Sequence, residues 1–145
     1  MSKKKVLVIS GPNLNLLGKR EKNIYGDISL KEIYSRMEDI ITKKNIIIEC
    51  KQSNSESKII DLIQNAQNKF NGIIINAGGY THTSVSIRDA LKFFNGYIIE
   101  IHMSNIHARE EFRKISMISG VSDGLIVGFG PDSYYLALKA ITSKI

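Results

Sequence analysis

The sequence predicts an α/β fold, a five-stranded parallel sheet with helices packed on both faces. Three observations carry that expectation. Five short, β-branched apolar runs recur along the 145 residues, nearly continuous as in strands buried on both faces. Segments with apolar residues at helical spacing alternate with them. No repeat, low-complexity tract or linker interrupts the alternation, so one domain over residues 1–145 is expected.

The first strand is "KVLVIS" (5–10). A basic "MSKKK" precedes it, but the apolar run is only five residues long before Gly-Pro, too short for a secretion signal. A helix follows over 29–44, with Leu30, Ile33, Met37 and Ile40/Ile41 on one stripe and Ser29 with Glu32 as a capping box. The second strand is "IIIEC" (46–50). The next helix, 55–69, carries Ile59, Leu62, Ile63 and Ala66, and Ser53 with Glu56 reads as a second capping box. "GIIINA" (72–77) is the third strand. Ile87, Ala90, Leu91 and Phe94 stripe a helix over 83–95. "YIIEIHM" (97–103) is the fourth strand, followed by a shorter helix around 108–117. "GLIVGF" (124–129) is the fifth, and Pro131 opens a last helix to about Ser143. Five strands in this alternation favour a flavodoxin-like three-layer sandwich of order 2-1-3-4-5.

Composition narrows the function. Apolar residues make up 43% and charged residues 23%, ordinary values for a globular chain. No apolar run approaches the ~18 residues that span a bilayer. The net charge is +6, but the lysines are scattered and no aromatic-interleaved basic stripe exists, so no nucleic acid partner is expected and a mild preference for anionic small molecules is. The single cysteine, Cys50, allows no internal disulfide and suits a reducing, cytoplasmic setting.

Ligands of open α/β sheets bind beyond the carboxyl ends of the strands, at the point where strand order reverses. The polar residues out of keeping with their surroundings collect there. Asn13, Asn15, Arg20 and Tyr25 follow the first strand. Asn76, Gly78, Gly79 and His82 follow the third, and Glu100, His102 and Ser104 end the fourth. The loop "GPNLNLLGKREKNIYG" is not a phosphate loop: Gly11 and Gly18 have six residues between them and no hydroxyl follows a lysine. A dinucleotide fingerprint and the aspartates of a phospho-receiver are also missing, and no ligand cluster points to a metal. The loop instead carries Arg20 and Tyr25 on an arm bracketed by Gly18 and Gly26. A tyrosine ionises near 10, so service as a base near pH 7 needs ~3 units, roughly 4 kcal/mol. One guanidinium at ~4 Å supplies about that much at an effective dielectric of ~20, and burial opposes it. A second arginine, Arg109 or Arg113, would close the gap. The alternative is a surface arm whose tyrosine only packs its ring.

Glu100, His102 and Ser104 alternate and share one face of the strand. A buried glutamate is costly unless paired, and His102 is its partner. A carboxylate that fixes the tautomer makes the imidazole a competent general acid; the alternative is a purely structural pair. Asn76, the glycine pair and His82 lead into a helix start near Thr83, suited to a hydroxylated or carboxylated ligand. Asp89 and His107 read as exposed.

Five blocks, "GPNLNLLGKREKNIYG", "QSNSE", "NAGGYTHTSVSIRDAL", "EIHMSNIHAREEFR" and "GFGPDSYYLAL", resemble the type II 3-dehydroquinate dehydratases along nearly the whole chain. Ala77 stands where that family commonly has Pro, and Ser57 where Gly is common. The resemblance implies dehydration of 3-dehydroquinate to 3-dehydroshikimate, in the shikimate route to aromatic amino acids, without cofactor, metal or Schiff base. It implies Tyr25 as the base at C2, Arg20 as its activating cation, and Asn13 as a stabiliser of the enolate-like intermediate. It implies His102 as the acid for the C1 hydroxyl, oriented by Glu100. Asn76, Ser104 and the backbone N–H groups of Met103 and Ser104 would bind the carboxylate, and His82 and Arg113 the ring hydroxyls. Asp89 would reach a neighbouring subunit's site in a dodecamer built from trimers. The competing expectation is a non-catalytic flavodoxin-like module that binds flavin or another ligand.

Overall fold

The computed structural model of the chain describes residues 2–19 and 21–145, without the side chains of Lys22 and Tyr25. Strands β1 (Lys4–Ser10), β2 (Ile46–Gln52), β3 (Gly72–Asn76), β4 (Tyr97–His102) and β5 (Gly124–Val127) form one sheet. Its order is β2-β1-β3-β4-β5 and every neighbouring pair is parallel, the flavodoxin-like arrangement. The helices are α1 (Lys22–Tyr25), α2 (Leu30–Ile41), α3 (Glu56–Ala66), α4 (Val85–Phe93) and α5 (Asp132–Thr142).

Side-chain alternation along the strands sorts the core into two layers. Val6, Val8, Ile74, Ile99 and Ile101 face α2 and α5, meeting Ile33, Met37, Tyr134 and Leu138. Leu7, Ile9, Ile73, Ile75 and Ile98 face α3 and α4, meeting Ile59, Ile63, Ile87 and Leu91. Burial on both faces holds for the interior strands, with every residue of β3 buried. It fails at the two edges, where Ile47 of β2 and Leu125 of β5 are 40% and 46% exposed. Edge strands have neighbours on one side only, and apolar composition alone does not reveal that position.

Ser29 caps α2, its Oγ accepting the Glu32 N–H, the first half of the expected capping box. The second cap is Ser55 rather than Ser53: Ser55 Oγ accepts the Lys58 N–H, while Ser53 Oγ accepts the N–H of Ser55 and so shapes the turn before the helix. Pro131 stands one residue before α5 as its cap. The helix expected around 108–117 is replaced by two short 3-10 turns, Ile106–Ala108 and Glu111–Lys114. That stretch has no apolar stripe to bury. Phe112 and Ile115 are 60% and 65% exposed, so nothing offsets the entropy of a longer helix.

Candidate active site

The carboxyl edge of the sheet is where the chain crosses itself. Ser10 and Asn76, the last residues of β1 and β3, are register partners, and just beyond them the Gly11 N–H still donates to the Asn76 carbonyl at 2.7 Å. Gly11 makes this close approach possible. A Cβ there would lie 2.4 Å from the carbonyl oxygen of Ala77, closer than any side chain tolerates. Beyond this edge lies a cavity of about 150 Å³. Its lining includes Asn13, Glu21, Asn76, Gly78, Gly79, His82, His102, Met103, Ser104, Arg109 and Arg113.

Glu100 and His102 share a strand face with Ile98, which packs in the α3/α4 layer. Glu100 is fully buried. Its Oε2 accepts the His102 Nε2–H at 2.5 Å and the Ser116 hydroxyl at 2.9 Å, and its Oε1 accepts the Ser119 hydroxyl. Burial by itself drives the carboxyl up. Hydrogen bonds from His102, Ser119 and Ser116, with the attraction of His102, outweigh it and hold Glu100 below the usual carboxylate range. The bond at Nε2 leaves Nδ1 of His102 for the cavity that its ring lines.

His82 stacks 6.2 Å from His102. A carbonyl can only accept, so the 2.8 Å contact with Ile115 O fixes the proton of His82 on Nδ1. Burial pushes His82 below the ordinary histidine value, and the neighbouring His102 and Arg113 charges push the same way against the Ile115 bond. The ring is therefore held neutral, with Nε2 as an acceptor for a donor such as a hydroxyl.

Asn76 is set by the layer beneath. Its Oδ1 accepts the Gly78 N–H, and one Nδ2 hydrogen goes to the Tyr134 hydroxyl at 3.3 Å. Tyr134 is tied to Ser10 at 2.9 Å, and Tyr34 donates to Ser10 at 2.6 Å. The second amide hydrogen of Asn76 remains for the cavity side. Burial pushes the Tyr134 phenol up to about 12, and Tyr34 rises further for the same reason. Both are structural hydroxyls, not bases.

On the opposite wall Asn13 is exposed, in a left-handed conformation with φ of 70° that asparagine tolerates. Its backbone N–H donates to Asn54 Oδ1, which also accepts from Gln52 Nε2. Leu14 and Leu17 anchor this loop in the α2/α5 layer. Gly18 and Gly26, which bracket the arm, have φ of 85° and 83°. Arg20 and the side chain of Tyr25 lie outside the described residues.

Of the remaining candidates, Met103 and Ser104 line the cavity, and Arg109 Nη1 donates to Ser104 Oγ at 3.1 Å. Arg113 Nε donates to Glu110, whose carboxyl is also 3.7 Å from Arg109. Asp89 is exposed on α4 in a separate groove with Ile60, Gln64 and Phe93, away from this cavity. His107 is exposed. Among the described residues no cluster of histidine, cysteine or carboxylate side chains could hold a metal, and no helix is long and apolar enough to cross a membrane. Sequence reasoning missed Glu21, which lines the cavity, and Asn54, Ser116 and Ser119, which hold its walls. Asn54 follows the carboxyl end of β2 and so could have been found by position. The two serines lie far from any strand end and gave no signal.

The chain is similar to known proteins along nearly its whole length. The family model described as "Dehydroquinase class II" matches residues 4–142. A 3-dehydroquinate dehydratase of Caldanaerobacter subterraneus subsp. tengcongensis is 51% identical over 95% of this chain and 93% of its own length. The crystal structure of the type II dehydroquinase from Butyrivibrio crossotus superposes with a TM-score of 0.95 at 48% identity, covering 98% of this chain and 99% of that one. That from Propionibacterium acnes gives 0.93 at 35% identity, covering 97% of each.

Proposed function

The chain belongs to the class II dehydroquinase family, and from that premise we propose how its residues carry out the family's reaction. The protein is a hydro-lyase, a 3-dehydroquinate dehydratase of the shikimate pathway. The observation that carries the assignment to particular residues is the Glu100–His102 pair, buried behind the cavity with one imidazole nitrogen left to face it.

Loss of water from 3-dehydroquinate requires a base for a C2 proton, a group for the developing enolate, and an acid for the C1 oxygen. Tyr25, as phenolate, takes the proton. The C2–H electrons move toward the carbonyl oxygen to form the enolate. As the enolate collapses, the C1–O bond breaks and His102 gives the proton on its Nδ1 to the departing oxygen while keeping the one on Nε2 that binds Glu100, leaving C1=C2 and water. The proton on Tyr25 returns to solvent and His102 is recharged.

Several observations support these roles. Of the six tyrosines, Tyr34, Tyr134 and Tyr135 are raised by burial, and Tyr80 donates to the Asn54 carbonyl outside the cavity. Tyr97 begins β4 at the opposite edge of the sheet. Tyr25 follows the loop whose Asn13 and Glu21 line the cavity. Arg20, next to Glu21 in sequence, is the cation that favours the phenolate, and Arg109 or Arg113 adds the second charge. Asn13 stabilises the enolate through a water. Asn76, Ser104 and the N–H groups of Met103 and Ser104 receive the substrate carboxylate, and His82 and Arg113 the ring hydroxyls.

No cofactor enters this scheme. The chain, 1–145, acts as one catalytic domain in the cytoplasm. Asp89, exposed on α4, reaches the site of a second copy in a dodecamer of trimers. The assay is direct: purified protein mixed with 3-dehydroquinate develops the ultraviolet absorbance of a conjugated enone. An unchanged spectrum over hours would refute the activity.

A further inference from the structure

The connection from β4 to β5 passes over the Glu100 carboxylate, and its hydrogen bonds have a definite polarity. Ser116 Oγ accepts the backbone N–H of Ile118 at 3.2 Å and of Ser119 at 3.1 Å. A hydroxyl has two acceptor positions and one hydrogen. With both acceptor positions used, the Ser116 hydrogen is committed to Glu100 Oε2. The Ser119 hydroxyl takes Oε1, and His102 Nε2–H takes Oε2 as well. Glu100 thus meets donors only. A protonated carboxyl would have to point its own hydrogen at one of them, so the arrangement selects the carboxylate.

The same strap reaches the second histidine. Ile115 O fixes the His82 tautomer, the Met117 N–H donates to Thr81 O at 2.8 Å, and the Met117 carbonyl accepts from Arg88 Nη1 at 3.1 Å. Ile118 is fully buried in the α3/α4 layer and pins the strap to the core.

We propose that Ser116 and Ser119 are positioning residues for the general acid, holding Glu100 as a fixed carboxylate so that His102 keeps its Nε2–H bond and turns Nδ1 to the substrate. The proposal rests on the assignment of His102 as the acid. The charged and titratable groups facing this centre are His102 on the same strand, His82 from the turn after β3, Arg88 of α4 through the strap, and Arg109 and Arg113 across the cavity.

The test uses the full chain with Ser119→Ala, Ser116→Ala and the conservative Ser119→Thr. Each lost hydroxyl lowers kcat about tenfold with KM within about twofold, and moves the acid limb of the kcat profile up by about one pH unit, because Glu100 then gains a proton more easily. Ser119→Thr restores both. Nitrogen-15 NMR of the His102 ring shows one tautomer in the parent and a mixture in the alanine variants. Ser116→Ala also frees two backbone N–H groups, so Ser119→Ala is the decisive variant if Ser116→Ala fails to fold. Ser119→Ala with parental kcat, acid limb and ring spectrum, beside an inactive His102→Ala, would overturn the proposal alone. A fully active His102→Ala would overturn the acid assignment, and the ring spectrum would then still decide whether the serines fix the tautomer.

Discussion

On the β4 side of the cavity, Glu100 is fully buried and accepts three hydrogen bonds, from His102, Ser116 and Ser119. On the β1 side, Asn13 is exposed and its backbone N–H is held by one amide oxygen, that of Asn54. The first wall is part of the fold itself: its carboxylate could not stay ionised without its partners, and its partners could not be satisfied without it. The second is a loop fastened by two leucines, Leu14 and Leu17, with the chemical groups carried beyond the fastening. An acid that must meet one oxygen at one angle gains from a rigid mount. The base proposed above, Tyr25, follows this loop in sequence instead of standing on a strand.

That contrast can be broken most severely at the reacting groups. Tyr25→Phe and His102→Ala should each lower kcat by about 10²–10⁴-fold, the usual worth of a positioned base or acid. His102→Ala should also lower the melting temperature, because His102 is hydrogen-bonded to the fully buried Glu100.

Next in size is Glu100→Ala, which leaves His102, Ser116 and Ser119 without their acceptor. It should cost about 3–5 kcal/mol in urea unfolding, the scale for stripping one partner from a buried pair. The pH dependence sharpens the point. The folded-state carboxyl of Glu100 is held low, so its contribution is complete above the unfolded value of about 4.3 and is lost as pH falls through the folded value. Acidification below about pH 4 should therefore destabilise the parent more steeply than Glu100→Ala.

The smallest effect belongs to the β1 wall. Asn54→Ala removes the acceptor for the Asn13 N–H and should cost about 1 kcal/mol, seen as a several-fold rise in KM with little change in melting temperature. A large loss of stability there would erase the distinction between the walls.

The sheet was legible because its signal is local. Runs such as "GIIIN" and "YIIEIH" are apolar and β-branched enough to read as strands, and strand alternation with helices constrains the order. Glu100 and His102 were legible for the same reason, being polar where the pattern demands apolar. The strap over them was not. Ser116 and Ser119 look like loop residues, and their role arises from a contact across 16 and 19 positions of sequence that no spacing encodes. The helix expected at 108–117 failed where sequence pattern is weakest, in a segment whose Glu111–Lys114 turn buries no residue.

The division of labour between the two walls is tested most directly by hydrogen exchange at C2 of 3-dehydroquinate in deuterated water, with Tyr25→Phe and His102→Ala compared side by side. The account predicts that His102→Ala washes deuterium into C2 while forming almost no enone, and that Tyr25→Phe does neither. Rapid exchange that survives in Tyr25→Phe would contradict it.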